Sequence, residues 1–138
     1  ARNGNIMSNS FFSNGKPVTE VFEYYPDGKI HKKISSSNNM LDGNYLEYYP
    51  NGKLKNKAFF KNDKQEGEYT AYYESSAIMQ KVPYKNGIRN GEAIAYYENG
   101  NIEQKAYFIN GKQEKEHLYY DKKGNLIKTE IYKNGVKQ

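Results

Sequence analysis

The same residues return every twenty-four positions along this chain. Asn14, Asn38, Asn62, Asn86, Asn110 and Asn134 form one series, and Tyr24, Tyr48, Tyr72, Tyr96 and Tyr120 a second. Gly28, Gly52, Gly100 and Gly124 form a third, interrupted only by Ser76, and Gly43, Gly67 and Gly91 a fourth. No insertion breaks the spacing from residue 14 to the C-terminus. A fixed period of this length specifies a stacked array of one small supersecondary unit, each copy leaning on its neighbours. Function in such an array is sought in repeated surfaces.

Within a period, apolar and aromatic residues alternate with polar ones, as in Glu92-Ala93-Ile94-Ala95-Tyr96-Tyr97 and Ile102-Glu103-Gln104-Lys105-Ala106-Tyr107-Phe108. Such runs, rich in Tyr, Ile and Phe and bounded by Gly and Asn, specify two strands and a tight turn. No 3.6-residue stripe is sustained over ten positions. The predicted fold is all-β: an elongated antiparallel sheet of stacked β-hairpins in 24-residue repeats. Residues 14–138 hold five to six repeats, and residues 1–13 form an N-terminal segment, extended or capping. Tyr25-Pro26-Asp27-Gly28-Lys29 and Tyr49-Pro50-Asn51-Gly52-Lys53 place Pro one position before Asp or Asn. A type I turn with Pro at i+1 and a left-handed Gly then gives a three-residue loop with a bulge. The stretch from Asn86 to Gly91 is expected to act as a six-residue connection between hairpins.

A three-residue loop pairs Tyr24 with Ile30, so residues of equal parity are expected to share a face. The even face then carries Phe22, Leu46, Ile94 and Leu118, the Tyr24 to Tyr120 series, Ile30, Leu54, Ile78, Ile102 and Leu126, and Phe60, Tyr84, Phe108 and Tyr132. It is expected to be the packed one, since burying each such side chain contributes about 1.5–3 kcal/mol. The odd face carries Lys33, Lys57, Lys81 and Lys105, opposite Val21, Tyr45, Tyr69 and Ala93, beside a second tyrosine column, Tyr25, Tyr49, Tyr73 and Tyr97. Interleaved tyrosine and lysine suit anionic or planar partners, and equally a solvated face protected from aggregation. These eight residues are the candidate binding surface.

Composition sets the limits. The chain is 36% hydrophobic with a mean hydropathy of −1.06, poor for a rounded core, but 15 Tyr and 6 Phe argue against disorder. There is no Cys, hence no disulfide or thiol chemistry. The net charge is +5, yet Arg2 and Arg89 are the only arginines among 21 basic residues. Bidentate Arg contacts dominate phosphate and base recognition, so nucleic acid is disfavoured as a partner. No apolar run reaches the roughly twenty residues of a membrane span. A chain starting Ala1-Arg2-Asn3 without Met is read as a trimmed or processed form, compatible with a removed leader.

The sequence offers no catalytic or metal-ligating constellation, and no cofactor is expected. His31 and His117 occupy non-equivalent slots with no shared spacing. Glu68, Glu92 and Glu116 recur once per repeat, whereas a catalytic residue is singular. The glycines sit in Asn-Gly and Asp-Gly turns and precede no helix, so no phosphate loop is formed.

The units Tyr48-Tyr49-Pro50-Asn51-Gly52-Lys53-Leu54, Tyr84-Lys85-Asn86-Gly87-Ile88-Arg89-Asn90-Gly91-Glu92 and Tyr96-Tyr97-Glu98-Asn99-Gly100-Asn101-Ile102 resemble the bacterial variant of the MORN repeat. The resemblance runs over about 14–138. It implies rows of antiparallel hairpins and non-enzymatic binding of proteins or membrane lipids; bacterial chains of this kind are grouped as antitoxins of the YwqK type. Departures fall at Ser75-Ser76 and Pro83, at Lys115 in a Gly slot, at Asp121 for the second Tyr, and at Ser35-Ser36-Ser37-Asn38-Asn39 in the first unit. The expectation is a protein-interaction scaffold, secreted or at the cell surface. The alternatives are a cytoplasmic antitoxin, or binding of anionic lipid or glycan through the lysine ladder. Self-association through open strand edges is a further expectation.

Overall fold

A computed structural model describes residues 5–138. The chain runs back and forth as β1 (Ile6–Ser13), β2 (Lys16–Tyr24), β3 (Ile30–Ser37), β4 (Met40–Tyr48) and β5 (Leu54–Lys61). It continues through β6 (Lys64–Tyr72), β7 (Ile78–Lys85), β8 (Ile88–Arg89), β9 (Gly91–Tyr96) and β10 (Ile102–Ile109). The last strands are β11 (Lys112–Tyr120), β12 (Leu126–Lys133) and β13 (Val136–Lys137). All belong to one antiparallel sheet whose spatial order follows the chain, with the short β8 pairing only β7. The all-β, hairpin-by-hairpin architecture is the one the period predicts. β1 pairs β2 from Ile6–Glu23 to Ser13–Lys16 and sits in the second-strand slot of a repeat, Ile6 lying one period before Ile30. Ala1–Gly4 lie outside the described residues.

Each hairpin closes along one long side of the sheet through the expected three-residue loop. Tyr25 N–H donates to the Lys29 carbonyl at 2.8 Å, and Gly28 N–H to the Tyr25 carbonyl at 2.9 Å. Gly28 has φ +90°, the left-handed backbone that the loop's third position needs. Ser76 takes the same conformation at φ +77°. On the other side, the six-residue connection is replaced by a two-residue turn. Lys85 pairs with Ile88 and Tyr84 with Arg89, leaving Asn86 and Gly87 alone in the turn at φ +51° and +82°. Two consecutive positive φ values define a type I′ turn, the geometry that matches strand twist. The recurring Asn at 14, 38, 62, 86, 110 and 134 is its first residue throughout, with φ between 48° and 53°.

The parity expectation fails inside the hairpin. Tyr24 pairs with Ile30, but the next pairs are Glu23–Lys32, Phe22–Lys33 and Val21–Ile34. His31 is one extra residue, a β-bulge, and Lys55, Met79, Glu103 and Ile127 repeat it. Directly opposed residues share a face and successive residues alternate, so one added residue turns over the remainder of the second strand. Phe60, Tyr84, Phe108 and Tyr132 therefore lie on the face opposite the Tyr24 series. Lys33, Lys57, Lys81 and Lys105 pair with Phe22, Leu46, Thr70 and Ile94, and not with Val21, Tyr45, Tyr69 and Ala93. A second irregularity falls in the first strands from β4 onward, though not in β2, as where register slips between Ile34–Tyr45 and Ser36–Leu41. Here Gly43, Gly67 and Gly91 have φ +111°, +74° and +122°, and Lys115 adopts +65° in the same slot.

Among the described residues, neither face is covered by a second layer. No large side chain of the described residues is fully buried, and the accessible surface is 8848 Å². A rounded chain of 16.0 kDa would expose about 7,400 Å². The most buried apolar residues, Ala58, Ala71 and Phe108, all lie on the face reached through the second-strand bulge. This face is called the amide face below, and its reverse the lysine face.

Candidate functional site

The eight candidate residues do not form one surface. Lys33, Lys57, Lys81 and Lys105 stand on the lysine face, alternating across the strands with Phe22, Leu46, Thr70 and Ile94. Lys33 Nζ lies 5.6 Å from the centre of the Phe22 ring. It is 3.5 Å from a Glu20 carboxylate oxygen, and Lys105 Nζ is 3.7 Å from one of Glu92. Two of the four ladder lysines are thus paired with carboxylates.

Tyr25, Tyr49, Tyr73 and Tyr97 lie on the amide face, where Tyr25 stacks on His31 at 4.3 Å. Each phenol O–H donates to a backbone carbonyl of the next hairpin: Tyr48, Tyr72, Tyr96 and Tyr120 at 2.6, 2.6, 2.7 and 2.8 Å. Partial burial pushes the Tyr25 and Tyr73 phenols above their ordinary pKa. These hydroxyls are used up inside the sheet, one bond between each pair of neighbouring hairpins.

The amide face has a marked gradient. Across the strands, one row reads Glu23, Lys32, Glu47, Asn56, Ala71, Gln80, Ala95, Gln104, Tyr119 and Lys128. At one end His31 is held between carboxylates, its Nδ1 3.1 Å from Glu23 and its Nε2 3.3 Å from Glu47. At the other end Tyr119 O–H donates to Glu130 at 2.9 Å, and Lys137 Nζ donates to the same carboxylate at 2.7 Å. Those two bonds hold the Glu130 carboxyl down at about 2. Burial and the Glu130 carboxylate push the Tyr119 phenol up to about 12.

Between these ends the side chains shrink to alanine, and a depression of about 230 Å³ opens. Its floor includes Ala93, Ala95 and Ala106, and Gln80, Gln104 and Phe108 also line it. His117 forms one wall: Nε2–H donates to Gln104 Oε1 at 2.9 Å, and Nδ1 accepts from Gln113 Nε2 at 2.7 Å. Burial lowers the His117 pKa, and its ring stacks on Tyr119 at 4.3 Å. The Arg89 guanidinium lies 4.2 Å from the Phe108 ring centre, and no carboxylate of the described residues pairs with it. Among the described residues no group of three His, Asp or Glu is placed to hold a metal ion. The arrangement supplies hydrogen-bond donors and acceptors, an aromatic platform and one free cation: recognition chemistry. The sequence carried a signal for it in Asn56, Gln80 and Gln104 alternating with Ala71 and Ala95. Without the bulge, equal parity splits these residues between the two faces.

The profile of the MORN repeat variant (MORN_2) matches residues 17–38, 41–62, 65–86 and 89–110. Each segment covers one hairpin, from the first strand through its three-residue loop to the Asn that opens the next turn. No curated protein matches the chain at a significant level.

Proposed function

The chain belongs to the MORN repeat variant family, and we propose that it is a non-catalytic binding module whose partner is a protein seated on the amide face. The observation that carries this reading is the bare depression between Gln80 and His117. An aromatic-rich sheet face ordinarily finds a covering layer, and here the middle of the face is lined with alanines and unfilled amides. Aromatic side chains with a polar tip, such as Tyr45, Tyr69 and Tyr84, are the type enriched in protein interfaces. A secreted or surface scaffold and a cytoplasmic antitoxin are two settings in which the same face would meet a protein. The lysine face fits anionic lipid or glycan less well, because three of its four ladder lysines lie opposite apolar residues, Phe22, Leu46 and Ile94, and Lys33 and Lys105 face Glu20 and Glu92.

The test is site-specific photocrosslinking in extract of the producing cells. A photoreactive side chain at Ala93, on the amide face, is expected to yield a discrete protein adduct. The same group at Lys57, on the lysine face, is expected to yield none. Adducts at Lys57 alone, or at neither position, would remove the reading.

A further inference from the structure

We propose that the depression on the amide face is a socket for a carboxylate side chain, Asp or Glu, carried on an extended segment of the protein partner, with Arg89 as its anchor. This rests on the reading of that face as a protein-binding surface, and it specifies the chemistry of what is bound.

Three observations converge. The first is shape. The depression crosses β7, β9, β10 and β11, which at about 4.8 Å per strand spans about 15 Å. That is the length of four to five extended residues at about 3.3 Å each. The second is charge. Among the described residues, Arg89 is the only side chain lining the depression that carries a full charge at neutral pH, since burial holds His117 down. The glutamates that would neutralise it lie elsewhere: Glu92 is on the lysine face, and Glu130 is engaged by Tyr119 and Lys137.

The third is the set of uncommitted donors. Gln80 makes no side-chain hydrogen bond within the described residues. Gln104 has only its carbonyl oxygen engaged, by His117, which leaves its amide N–H groups free. A guanidinium fork matches a carboxylate in two parallel bonds. Phe108 holds that fork flat from below at 4.2 Å, so less side-chain freedom is lost on binding. The slot equivalent to Arg89 is Leu41 in the second hairpin, Gln65 in the third and Gln113 in the fifth. The socket is therefore singular within an otherwise repeating surface.

The experiment is an NMR titration of the whole chain with a capped five-residue peptide bearing a central glutamate, against its glutamine counterpart. The glutamate peptide is expected to shift the methyl signals of Ala93, Ala95 and Ala106. Its binding should be about tenfold tighter than that of the glutamine peptide, the worth of one charged hydrogen bond. Arg89→Gln should erase that difference, and Arg89→Lys should restore only part of it. Arg89 is exposed, so both variants are expected to fold, and their alanine methyl spectra without peptide check this. Equal affinity for the two peptides, shifts confined to the lysine face, or no shift at millimolar peptide would each overturn the proposal. An Ala93 adduct in the crosslinking experiment together with such a result would sink the carboxylate socket alone, and leave the protein-binding face standing.

Discussion

The two long sides of the sheet solve the same problem by different means. Along the side of the three-residue loops, neighbouring hairpins are tied by a side chain, the Tyr25-type phenol reaching a carbonyl one hairpin on. Along the side of the Asn-Gly turns, the tie is mainly backbone. Gly87 N–H donates to the Gln65 carbonyl, Gly111 to Arg89 and Gly135 to Gln113, at 2.8 to 2.9 Å. Side chains at the first-strand irregularity add to it: Glu66 accepts from Asn86 N–H at 2.7 Å, and Asn90 from Asn110 N–H at 3.0 Å. A side-chain tie tolerates variation in the loop beneath it, as Ser75-Ser76 shows. A backbone tie brings main chains close and demands a left-handed residue, mostly Gly, although Asp63 at φ +67° makes the same bond to the Leu41 carbonyl at 2.9 Å.

The largest expected effect breaks the backbone side. A Cβ on Gly111 would stand 2.8 Å from Ile88 Cγ2, at φ +84°. Gly15 has a similar φ of +73° with nothing within 4 Å. Gly15→Ala should therefore carry only the left-handed backbone cost of about 1–2 kcal/mol. Gly111→Ala should exceed it by roughly another 1 kcal/mol, because the Ile88 side chain must shift. Urea midpoints of the two variants measure the difference. Equal losses would mean that the close approach relaxes freely.

On the other side, Tyr73→Phe removes the bond from the phenol to the Tyr96 carbonyl and should destabilise by about 1 kcal/mol. Tyr72→Phe, one residue earlier and on the opposite face, removes a hydroxyl with no such tie and should be close to neutral. Slowed or unchanged hydrogen exchange at the loop between β6 and β7 in Tyr73→Phe would show that the phenol is not a tie. In the last hairpin Asp121 takes the tyrosine slot. Its carboxylate turns back to accept from Lys123 and Asn125 N–H, both at 2.9 Å, which holds it below the ordinary carboxylate range.

The alkaline limit of stability gives a third comparison, within the last hairpin. The fold favours neutral Tyr119, whose phenol is pushed up to about 12, while an unfolded tyrosine ionises near 10. A group with a raised folded pKa stabilises below its unfolded value and loses that contribution as pH rises toward the folded one. Stability should therefore fall between about pH 10 and 12, and Tyr119→Phe should show a shallower fall over that window. Identical pH profiles would show that the Tyr119–Glu130 bond does not differ between the folded and unfolded chain.

The asymmetry between the two sides also explains how much was legible in the sequence. Pro26-Asp27-Gly28 announces its turn because Pro and Gly restrict φ in opposite senses, and the structure follows it to the pairing of Tyr24 with Ile30. The bulge residue carries no mark: His31, Lys55, Met79, Glu103 and Ile127 share no side-chain property, since what the position needs is only one residue too many. A register without the bulge keeps the turn but inverts the second strand, which sets the lysine ladder opposite the wrong residues. The Asn-Gly turns were legible as a type I′ pattern in residues such as Asn86-Gly87. They were obscured by Gly91, which belongs to the first-strand irregularity and lengthened the apparent loop. The depression is not legible in the sequence, because alanine and glutamine are informative only once the face they share is known.

The smallest expected effect is a gain, and it tests how far the loop side tolerates imperfection. Ser76 sits at φ +77° where Gly28, Gly52, Gly100 and Gly124 have φ between 88° and 94°. A residue with a Cβ is strained there by about 1–2 kcal/mol, while glycine costs about 0.5–1 kcal/mol in chain entropy. Ser76→Gly should therefore stabilise by about 0.5–1 kcal/mol. The loop's own bonds, Tyr73 N–H to the Ala77 carbonyl and Ser76 N–H to the Tyr73 carbonyl, are backbone bonds and stay in place. A rise in the urea midpoint confined to this hairpin's amides would show that the phenol tie of Tyr73 was holding a strained loop closed. A fall would show instead that the serine side chain contributes something to the turn beyond its backbone.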